Sequence, residues 1–201
     1  IEKRSDWLVT NGNTQEISNT IWAYAKLDHD APALLAAIEN RSDWLVAYGT
    51  PQDIANTAWA FATLGHKSPP LFAAIENRSD WLVADGSAQS ISVTAWASAK
   101  LNYTSPALFT AIEQRSSWLF GNCSPQCIAV TAWAFATKEH KAPALFAAIE
   151  SRGEWLVAHG KPQDISNTAW ACAKLDYASP AFFAAIATHW DKIMTKGNEL
   201  D

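Results

Sequence analysis

The side chains best suited to metal or redox chemistry in this sequence are three cysteines, Cys123, Cys127 and Cys172. Cys123 and Cys127 stand four residues apart, which could place two thiolates on one zinc ion. They occupy a glycine position and an acidic position of the repeat described below, so we interpret them as isolated variants and predict no metal site. An odd number of cysteines without a framework of spacings favours a reducing intracellular compartment.

Acid, base and nucleophile side chains are plentiful but dispersed. Ser, Asp and His recur once in each repeat, which spreads them along a rod instead of gathering them in a pocket. The histidines His29, His66 and His140 share a repeat position with Tyr103 and Tyr177, which indicates an amphipathic loop site. The sequence contains no glycine-rich phosphate loop, nucleophile elbow or converging pair of carboxylates. We therefore predict no enzymatic activity and no cofactor.

The chain repeats itself every 37 residues without insertions. Repeats start at the following residues: Ile1, Ile38, Ile75, Ile112, Ile149 and Ile186. A period of this length in strict phase is typical of a helical array. We expect one array over residues 1–201, and we expect it to be a fragment of a longer protein because the first residues lack a helical partner and an initiator methionine.

Each repeat carries two helix signals, here named A and B. Helix A of the second repeat is predicted over about 52–64, with Thr50 as the N-cap, Pro51 in the first turn and Asp53 completing a capping box. Helix B is predicted to begin at Ser68-Pro69 and to continue for about 16 residues, ending near Gly86. The expected fold is an all-α, right-handed α-solenoid of helix–turn–helix repeats, with about five helix pairs and an N-terminal orphan helix.

The apolar positions divide each helix into two faces. Ile17, Ile21 and Ala25 are spaced four apart and predict the buried face of helix A. Two tryptophan series, represented by Trp7 and Trp22, recur in phase and are expected in the core. The alternative is that the tryptophans form an exposed stacking platform.

The opposite face of helix A is the candidate binding surface. We number positions by the first repeat and place positions 16, 19 and 26 along this face, beside an invariant alanine at position 23. Positions 16 and 19 change together, since an acid accompanies Asn, whereas Ser or Cys accompanies Val. Position 16 is Glu16, Asp53, Ser90, Cys127 and Asp164; position 19 is Asn19, Asn56, Val93, Val130 and Asn167; position 26 is Lys26, Thr63, Lys100, Thr137 and Lys174.

One such set in each repeat is the layout of proteins that read one RNA base per repeat. The simpler alternative is that exposed positions drift and neighbours compensate. An arginine row adds a second question: Arg4, Arg41, Arg78, Arg115 and Arg152 recur on helix B. These arginines are expected to pair with acids such as Glu39 and Asp43, and the alternative is a row of phosphate clamps.

The helix A strings resemble a known repeat family. Gln52-Asp-Ile-Ala-Asn-Thr-Ala-Trp-Ala-Phe-Ala-Thr-Leu64 and its counterpart at residues 15–27 are similar to the octotricopeptide repeat and to its 37-residue relative, the heptatricopeptide repeat. The resemblance covers essentially the whole chain. It implies binding to single-stranded RNA, typically in post-transcriptional control of organellar transcripts, and a location in the plastid or mitochondrion.

Composition limits the possible partners. The net charge is −5 and charged residues make up 17% of the chain, which argues against a strongly basic nucleic-acid binder. No apolar run reaches the roughly 20 residues that a membrane-spanning helix needs. The principal hypothesis is a single-stranded RNA binder whose concave groove is lined by positions 16, 19 and 26. The rivals are a protein–protein scaffold whose concave face holds a peptide, and an architectural spacer.

Overall fold

The computed structural model describes residues 4–189, and in that range every regular element is a helix. The predicted all-α fold is confirmed for these residues. Ile1, Trp190 and the rest of the two ends lie outside the described residues. The predictions of a right-handed superhelix and of one array over 1–201 stay predictions.

The helices fall into three classes by length. Five have 13 residues and correspond to helix A: α2 (Thr14–Lys26), α5 (Pro51–Thr63), α8 (Ala88–Lys100), α11 (Pro125–Thr137) and α14 (Pro162–Lys174). Five have nine residues: α3 (Pro32–Asn40), α6 (Pro69–Asn77), α9 (Pro106–Gln114), α12 (Pro143–Ser151) and α15 (Pro180–Thr188). Five are shorter: α1 (Ser5–Asn11), α4 (Ser42–Tyr48), α7 (Ser79–Asp85), α10 (Ser116–Gly121) and α13 (Gly153–His159).

The predicted start of helix A in the second repeat is confirmed. Thr50 is the N-cap of α5, its hydroxyl accepts from the Asp53 amide, and the Asp53 carboxylate accepts from the Thr50 amide. Pro51 occupies the first turn. These contacts satisfy amide groups that a helix start leaves without intrahelical partners. They fix where the helix begins.

Two residues after the last residue of each A helix, the chain has a residue in the left-handed region. The residues concerned are Asp28, Gly65, Asn102, Glu139 and Asp176, with φ between 51° and 67°. Asn and Asp tolerate this conformation better than other residues with a side chain, and Gly adopts it without steric cost. The turn reverses the chain after helix A and leads it into the nine-residue helix.

Helix B is two helices, so the prediction of one continuous 16-residue helix was wrong. The break lies at the recurring arginine: Arg78 has φ −114° and ψ 16° between α6 and α7. In the second repeat, the Ser42 hydroxyl after the break donates to the carbonyls of Ile38 and Glu39. Glycine follows the break in one repeat only, at Gly153, so the break has no general signal in the sequence. The arginine at the break makes tertiary contacts, which are described below.

The chain divides into two compact blocks, residues 1–111 and 112–201. In the N-terminal block, α2 packs on α5 and α5 on α8, while α1 contacts α3 and α4 contacts α6. In the C-terminal block, α11 packs on α14, and α12 and α13 both contact α15. Thus A helices pack against A helices within each block, and the halves of helix B pack against the next repeat.

The core is built from aliphatic side chains and phenylalanine. Ile17, Ile21, Leu34, Ile54 and Phe61 have no exposed surface. The tryptophans do not belong to this core, contrary to the prediction. Four are well exposed and the other six described ones are half-buried: the exposed ones are Trp7 (57%), Trp22 (40%), Trp118 (39%) and Trp170 (44%).

Candidate nucleic-acid interface

The solvent-facing surface of helix A is a stripe formed by positions 15, 19, 22 and 26. At 3.6 residues per turn these positions lie within roughly 60° of one another. The stripe has Gln at position 15 and Trp at position 22 in all five A helices, with Asn or Val at 19 and Lys or Thr at 26. We call it the A stripe, and each A helix presents one copy.

Position 16 lies on the flank of the helix, beside the stripe. Its side chain is exposed in Glu16 but buried in the other four repeats, namely in Asp53 (5%), Ser90 (3%), Cys127 (8%) and Asp164 (8%). The expectation that these four residues line an open groove was wrong. Position 16 lies about 60° around the helix from position 19, the nearest member of the stripe, which directs it toward the body of the protein.

The buried position-16 acid of the second repeat has a structural role. Asp53 Oδ1 accepts from the Ser18 hydroxyl at 3.1 Å, and Oδ2 accepts from the Thr14 hydroxyl at 3.1 Å. Both donors lie on α2, whereas Asp53 lies on α5. This carboxylate therefore caps its own helix and joins it to the neighbouring A helix. The acid that appeared in the sequence as a base-reading group is used by the fold.

Position 19 stays on the accessible side. Asn19 is exposed, and Asn56, Val93, Val130 and Asn167 are half-buried. Asn56 Oδ1 accepts from Gln52 Nε2 at 3.1 Å, so its partner along the stripe is position 15. The glutamine row was missed in the sequence, although its five identical members provided a signal: Gln15, Gln52, Gln89, Gln126 and Gln163, all exposed.

The stripe carries aromatic surface at position 22. Trp22 and Trp59, on neighbouring helices, have ring centroids 6.1 Å apart with their planes inclined by 36°. Trp22 and Trp170 each leave about two fifths of their surface in solvent. An exposed indole beside amide side chains can stack on a nucleobase while the amides donate and accept hydrogen bonds at its edge.

Position 26 supplies the positive charge of the stripe. Lys26, Lys100 and Lys174 are exposed, as is Thr63, while Thr137 is half-buried. Lys174 Nζ lies 2.9 Å from a carboxylate oxygen of Glu139. The hydrogen bond and charge of this lysine lower the pKa of Glu139 below its ordinary value. One of the three lysines thus already has an acidic neighbour.

An open depression of about 620 Å³ adjoins the stripe of the first repeat. Trp7 and Asn11 of α1 form one side of it, and Glu16 and Asn19 of α2 form the other. Here, position 16 is accessible together with position 19. Glu16 and Asn19 are therefore the two members of the predicted pair that the structure brings to one open surface.

The arginine row is held by the fold. Guanidinium groups lie 3.6–5.0 Å from the tryptophan ring centre three residues further on in all five cases. Arg78 Nη1 also donates to the carbonyl of Ala47 at 2.7 Å and contacts that of Val46, in the preceding repeat. Arg41 makes the same contacts to Val9 and Thr10. For these two, carbonyls and an indole replace the predicted acidic partners, and the guanidinium is not an open phosphate clamp.

The glutamates two residues before these arginines serve another junction. Both carboxylate oxygens of Glu76 accept amide hydrogens at the start of α9, from Ala107 at 2.6 Å and Leu108 at 3.2 Å. Glu150 does the same for Ala181 and Phe182 at the start of α15. An acid at a helix N-terminus satisfies unpaired amides and the helix dipole. These two glutamates therefore bind the backbone of the next repeat and do not pair with the arginines.

The remaining titratable groups of residues 4–189 are dispersed. Tyr103 stacks on Phe72 at 4.3 Å and Tyr177 on Phe146 at 4.2 Å, and partial burial raises the pKa of both phenols. Within residues 4–189, no three His, Cys, Asp or Glu side chains are grouped so as to hold a metal ion. In the same range, no helix has the length and apolar character needed to cross a bilayer.

Known proteins add to this geometry. Residues 3–197 match the family of the RNA-editing substrate-binding complex 6 protein. The chain belongs to this family. The match covers nearly the whole sequence, so it includes every copy of the A stripe. No curated protein matches the chain.

The family match refines the resemblance seen in the sequence. It supports a helical, RNA-associated family. The octotricopeptide or heptatricopeptide repeat type receives no support from this match. The structure agrees that the fold is helical, because every regular element among the described residues is a helix. It does not identify the repeat type.

Proposed function

We propose that this protein binds single-stranded RNA through the A stripe and does so as a subunit of an RNA-editing complex. The observation that carries the proposal is the stripe itself, since Gln, Trp and a position-19 Asn or Val recur on the accessible side of every A helix. The family description adds the RNA context. Because RNA-editing complexes of kinetoplastids are mitochondrial, we place the protein in the mitochondrion.

Base stacking and amide hydrogen bonds are the main source of affinity in this proposal. The tryptophan face takes the base, and Gln at position 15 and Asn at position 19 contact its edge. A Val at position 19 offers only apolar contact and would select a different base. In this proposal each A helix takes one base, so one base meets one repeat within each block.

The phosphate contribution is small. Of the stripe residues only Lys26, Lys100 and Lys174 are cationic, so at most three phosphates are neutralised. Single strands lose affinity with a slope of about −0.7 per neutralised phosphate, which gives a slope of about −2 for log affinity against log salt. Binding is therefore expected to survive moderate salt.

The direct test is fluorescence anisotropy with a pool of labelled single-stranded RNAs at two salt concentrations. Replacing all three stripe lysines by glutamine should remove most of the salt dependence and leave the weaker, stacking-based affinity. The control replaces two lysines, Lys67 and Lys141, which are exposed in loops off the stripe, and the two variants are compared per charge removed. An equal loss of RNA affinity per charge removed in both variants would contradict a phosphate role for the stripe.

The aromatic part of the site has its own variants. Trp22→Ala should weaken binding about 5- to 150-fold, which corresponds to the roughly 1–3 kcal/mol of one stacked base. Trp118→Ala removes an indole of similar exposure from α10, off the stripe, and should leave affinity unchanged. Circular dichroism melts confirm that both variants remain folded.

A protein-binding function has one observation in its favour. Leu27 and Tyr48 leave 78% and 74% of their surface in solvent, so most of each side chain is not used in packing the core. A helical array whose surface holds a partner of the editing complex would use such residues. No RNA binding at either salt concentration, together with capture of a complex subunit that Leu27→Ser abolishes, would favour this function.

A further inference from the structure

Cys123 and Cys127 are the chemically reactive pair that the RNA-binding proposal leaves unused. Their sulfur atoms lie 2.7 Å apart, with the Cys123 thiol donating to Cys127, and both side chains are buried. No disulfide joins them. A disulfide bond is about 2.05 Å long, so the two sulfurs need to approach by less than 1 Å to bond.

The repeat shows independently that the backbone suits a disulfide at this place. Cys123 stands at position 12, which is glycine in the other four repeats, and Cys127 stands at position 16. A Cβ built on Gly49 would lie 3.5 Å from Asp53 Cβ, and one on Gly160 would lie 3.6 Å from Asp164 Cβ. Disulfides have Cβ–Cβ separations of about 3.5–4.5 Å. In these two repeats the backbone thus places positions 12 and 16 within disulfide distance, and in the fourth repeat the 2.7 Å sulfur separation shows the same proximity.

The fourth repeat also makes room for the Cys123 side chain. At the equivalent glycines, a Cβ would fall 2.4–2.7 Å from the carbonyl oxygen of the leucine four residues earlier, too close for any side chain. In the fourth repeat, α10 ends earlier, and the Asn122 amide donates to the carbonyls of Trp118 and Leu119. The helix end therefore differs in the one repeat in which position 12 carries a side chain.

The cysteine pair replaces a contact that three of the other four repeats make without a covalent bond. Glu16, Asp53 and Asp164 each accept a hydrogen bond from the N-cap amide and so tie the turn to the first turn of helix A. Cys127 occupies that position in the fourth repeat. A Cys123–Cys127 bond would tie the same turn covalently.

We propose that Cys123 and Cys127 are a redox-modification site that forms a reversible disulfide at the α10–α11 turn, with a low-molecular-weight disulfide such as glutathione disulfide as the oxidant. One thiolate of the pair attacks a sulfur of the oxidant, breaks its disulfide bond and releases one glutathione thiolate. The second thiolate then attacks the mixed disulfide, forms the Cys123–Cys127 bond and releases the second glutathione. The two cysteine protons end on the two glutathione molecules, and two thiols are oxidised for one disulfide reduced.

Local opening of the turn controls how fast this exchange occurs. The neighbouring Cys127 sulfur and burial raise the pKa of Cys123 above the ordinary thiol value. The reactive thiolate is therefore scarce in the closed turn. Equilibration in the test must accordingly be long, and completeness is checked by approaching each point from both the oxidised and the reduced side.

The test equilibrates the full chain in glutathione buffers of increasing disulfide content, quenches it with acid, and alkylates it under denaturing conditions before intact-mass analysis. The expected oxidised product accepts one alkyl group, on Cys172, and a peptide map shows Cys123 joined to Cys127. Its midpoint of thermal unfolding should rise by a few degrees because the crosslink closes a loop in the unfolded chain.

Three serine variants make the outcome decisive. C172S should oxidise like the parent chain, whereas C123S and C127S should yield at most a mixed disulfide with glutathione. In denaturant, half-oxidation should require a ratio of glutathione disulfide to squared glutathione that is about tenfold higher, because the fold no longer brings the sulfurs together. Three alkylated thiols throughout the buffer series, or a disulfide that includes Cys172, would overturn the proposal. RNA binding plays no part in this test.

Discussion

The hydroxyl of Ser18 on α2 donates a hydrogen bond to the carboxylate of Asp53 on α5, over 3.1 Å and away from solvent. The same carboxylate accepts from the Thr50 amide and hydroxyl at the start of its own helix. A single side chain therefore sets where an A helix begins and how it docks on its neighbour. Ser18 stands where the second and fourth repeats have alanine, so this contact distinguishes one junction from others.

Loss of this carboxylate should destabilise the N-terminal block. Asp53→Ala removes a helix cap and leaves the buried Ser18 hydroxyl and the half-buried Thr14 hydroxyl with one partner fewer. We expect this to lower the free energy of unfolding by about 2–3 kcal/mol. Glu16→Ala is the matched control, because Glu16 caps α2 in the same way but is exposed. It should cost about 1 kcal/mol or less. Urea unfolding followed by circular dichroism measures both, and equal losses would show that the link to α2 contributes nothing.

The arginine at the break in helix B should not be replaceable by lysine. Arg78 lies over the Trp81 ring at 3.8 Å while it donates to backbone carbonyls of the preceding repeat. A planar guanidinium can do both, whereas an ammonium group cannot match this geometry. We expect Arg78→Ala to cost about 1–2 kcal/mol of stability and Arg78→Lys to recover less than half of it.

Arg4 provides the comparison for that experiment. It is exposed and lies 5.0 Å from the Trp7 ring centre, farther than the other four arginines lie from theirs. Arg4→Lys should change the unfolding midpoint in urea by less than the error of the measurement. If Arg78→Lys were as stable as the parent chain, the role assigned to the planar guanidinium of Arg78 would be refuted.

A glycine inside α13 should be intolerant of any side chain. The other four repeats have serine at the position of Gly153, but here a Cβ would lie 2.7 Å from Phe182 Cα on α15. Backbone cannot yield as a flexible side chain does, so we expect Gly153→Ala to cost about 1–3 kcal/mol. Gly121→Ala is the control, because a Cβ there meets nothing within 4 Å. Thermal melts of the two variants should differ by several degrees, and matching melts would contradict the clash.

Local signals in the sequence were sufficient for the elements that depend on local physics. Thr50, Pro51 and Asp53 located the start of α5 because capping involves only neighbouring residues. The break at Arg78 could not be found in this way. The arginine at the break contacts a pair of carbonyls in the preceding repeat, more than thirty residues away in the chain, and no local signal reports such contacts.

The candidate surface was found only in part, and for a similar reason. A helical wheel locates the solvent-facing side of a helix only to within about one residue, or 100°. Because of this uncertainty the sequence prediction included position 16 in the stripe and omitted position 15. The A-helix neighbour decides the matter, since Ser18 approaches Asp53 from α2. The tryptophans were assigned to the core by their size, yet Trp22 pairs with Trp59 at the surface. Recurrence of a large apolar residue indicates a shared role without showing which role it is.

Acid should weaken one exposed ion pair in the C-terminal block. Lys174 lowers the pKa of Glu139, so the folded chain holds this proton less tightly than the unfolded chain does. The stabilisation is present above the unfolded pKa of the glutamate and is lost as the pH falls through the lower folded pKa. Lys174→Met should return the Glu139 pKa toward its ordinary value in an NMR titration of the carboxyl carbon. Lys141→Met should leave it unchanged, and an equal response to both variants would assign the shift to general charge.

Base preference should follow position 19 alone, since position 16 is buried in the second and third repeats. Asn56 lies half-buried on the A stripe and bonds Gln52, whereas Val93 at the same place on α8 offers two methyl groups. Exchanging Asn56→Val and Val93→Asn keeps composition and charge constant, so nonspecific affinity is held fixed. The measurement uses an RNA library randomised at each nucleotide. The double variant should exchange the base preferences at two nucleotides. The free-energy difference between preferred and rejected base should change by about 1–3 kcal/mol at each, which is the discrimination that a single hydrogen-bonded base edge provides. An unaltered preference profile with unaltered affinity would remove position 19 from the interface, and a uniform loss at every nucleotide would show that the residue supports the helix and does not read a base.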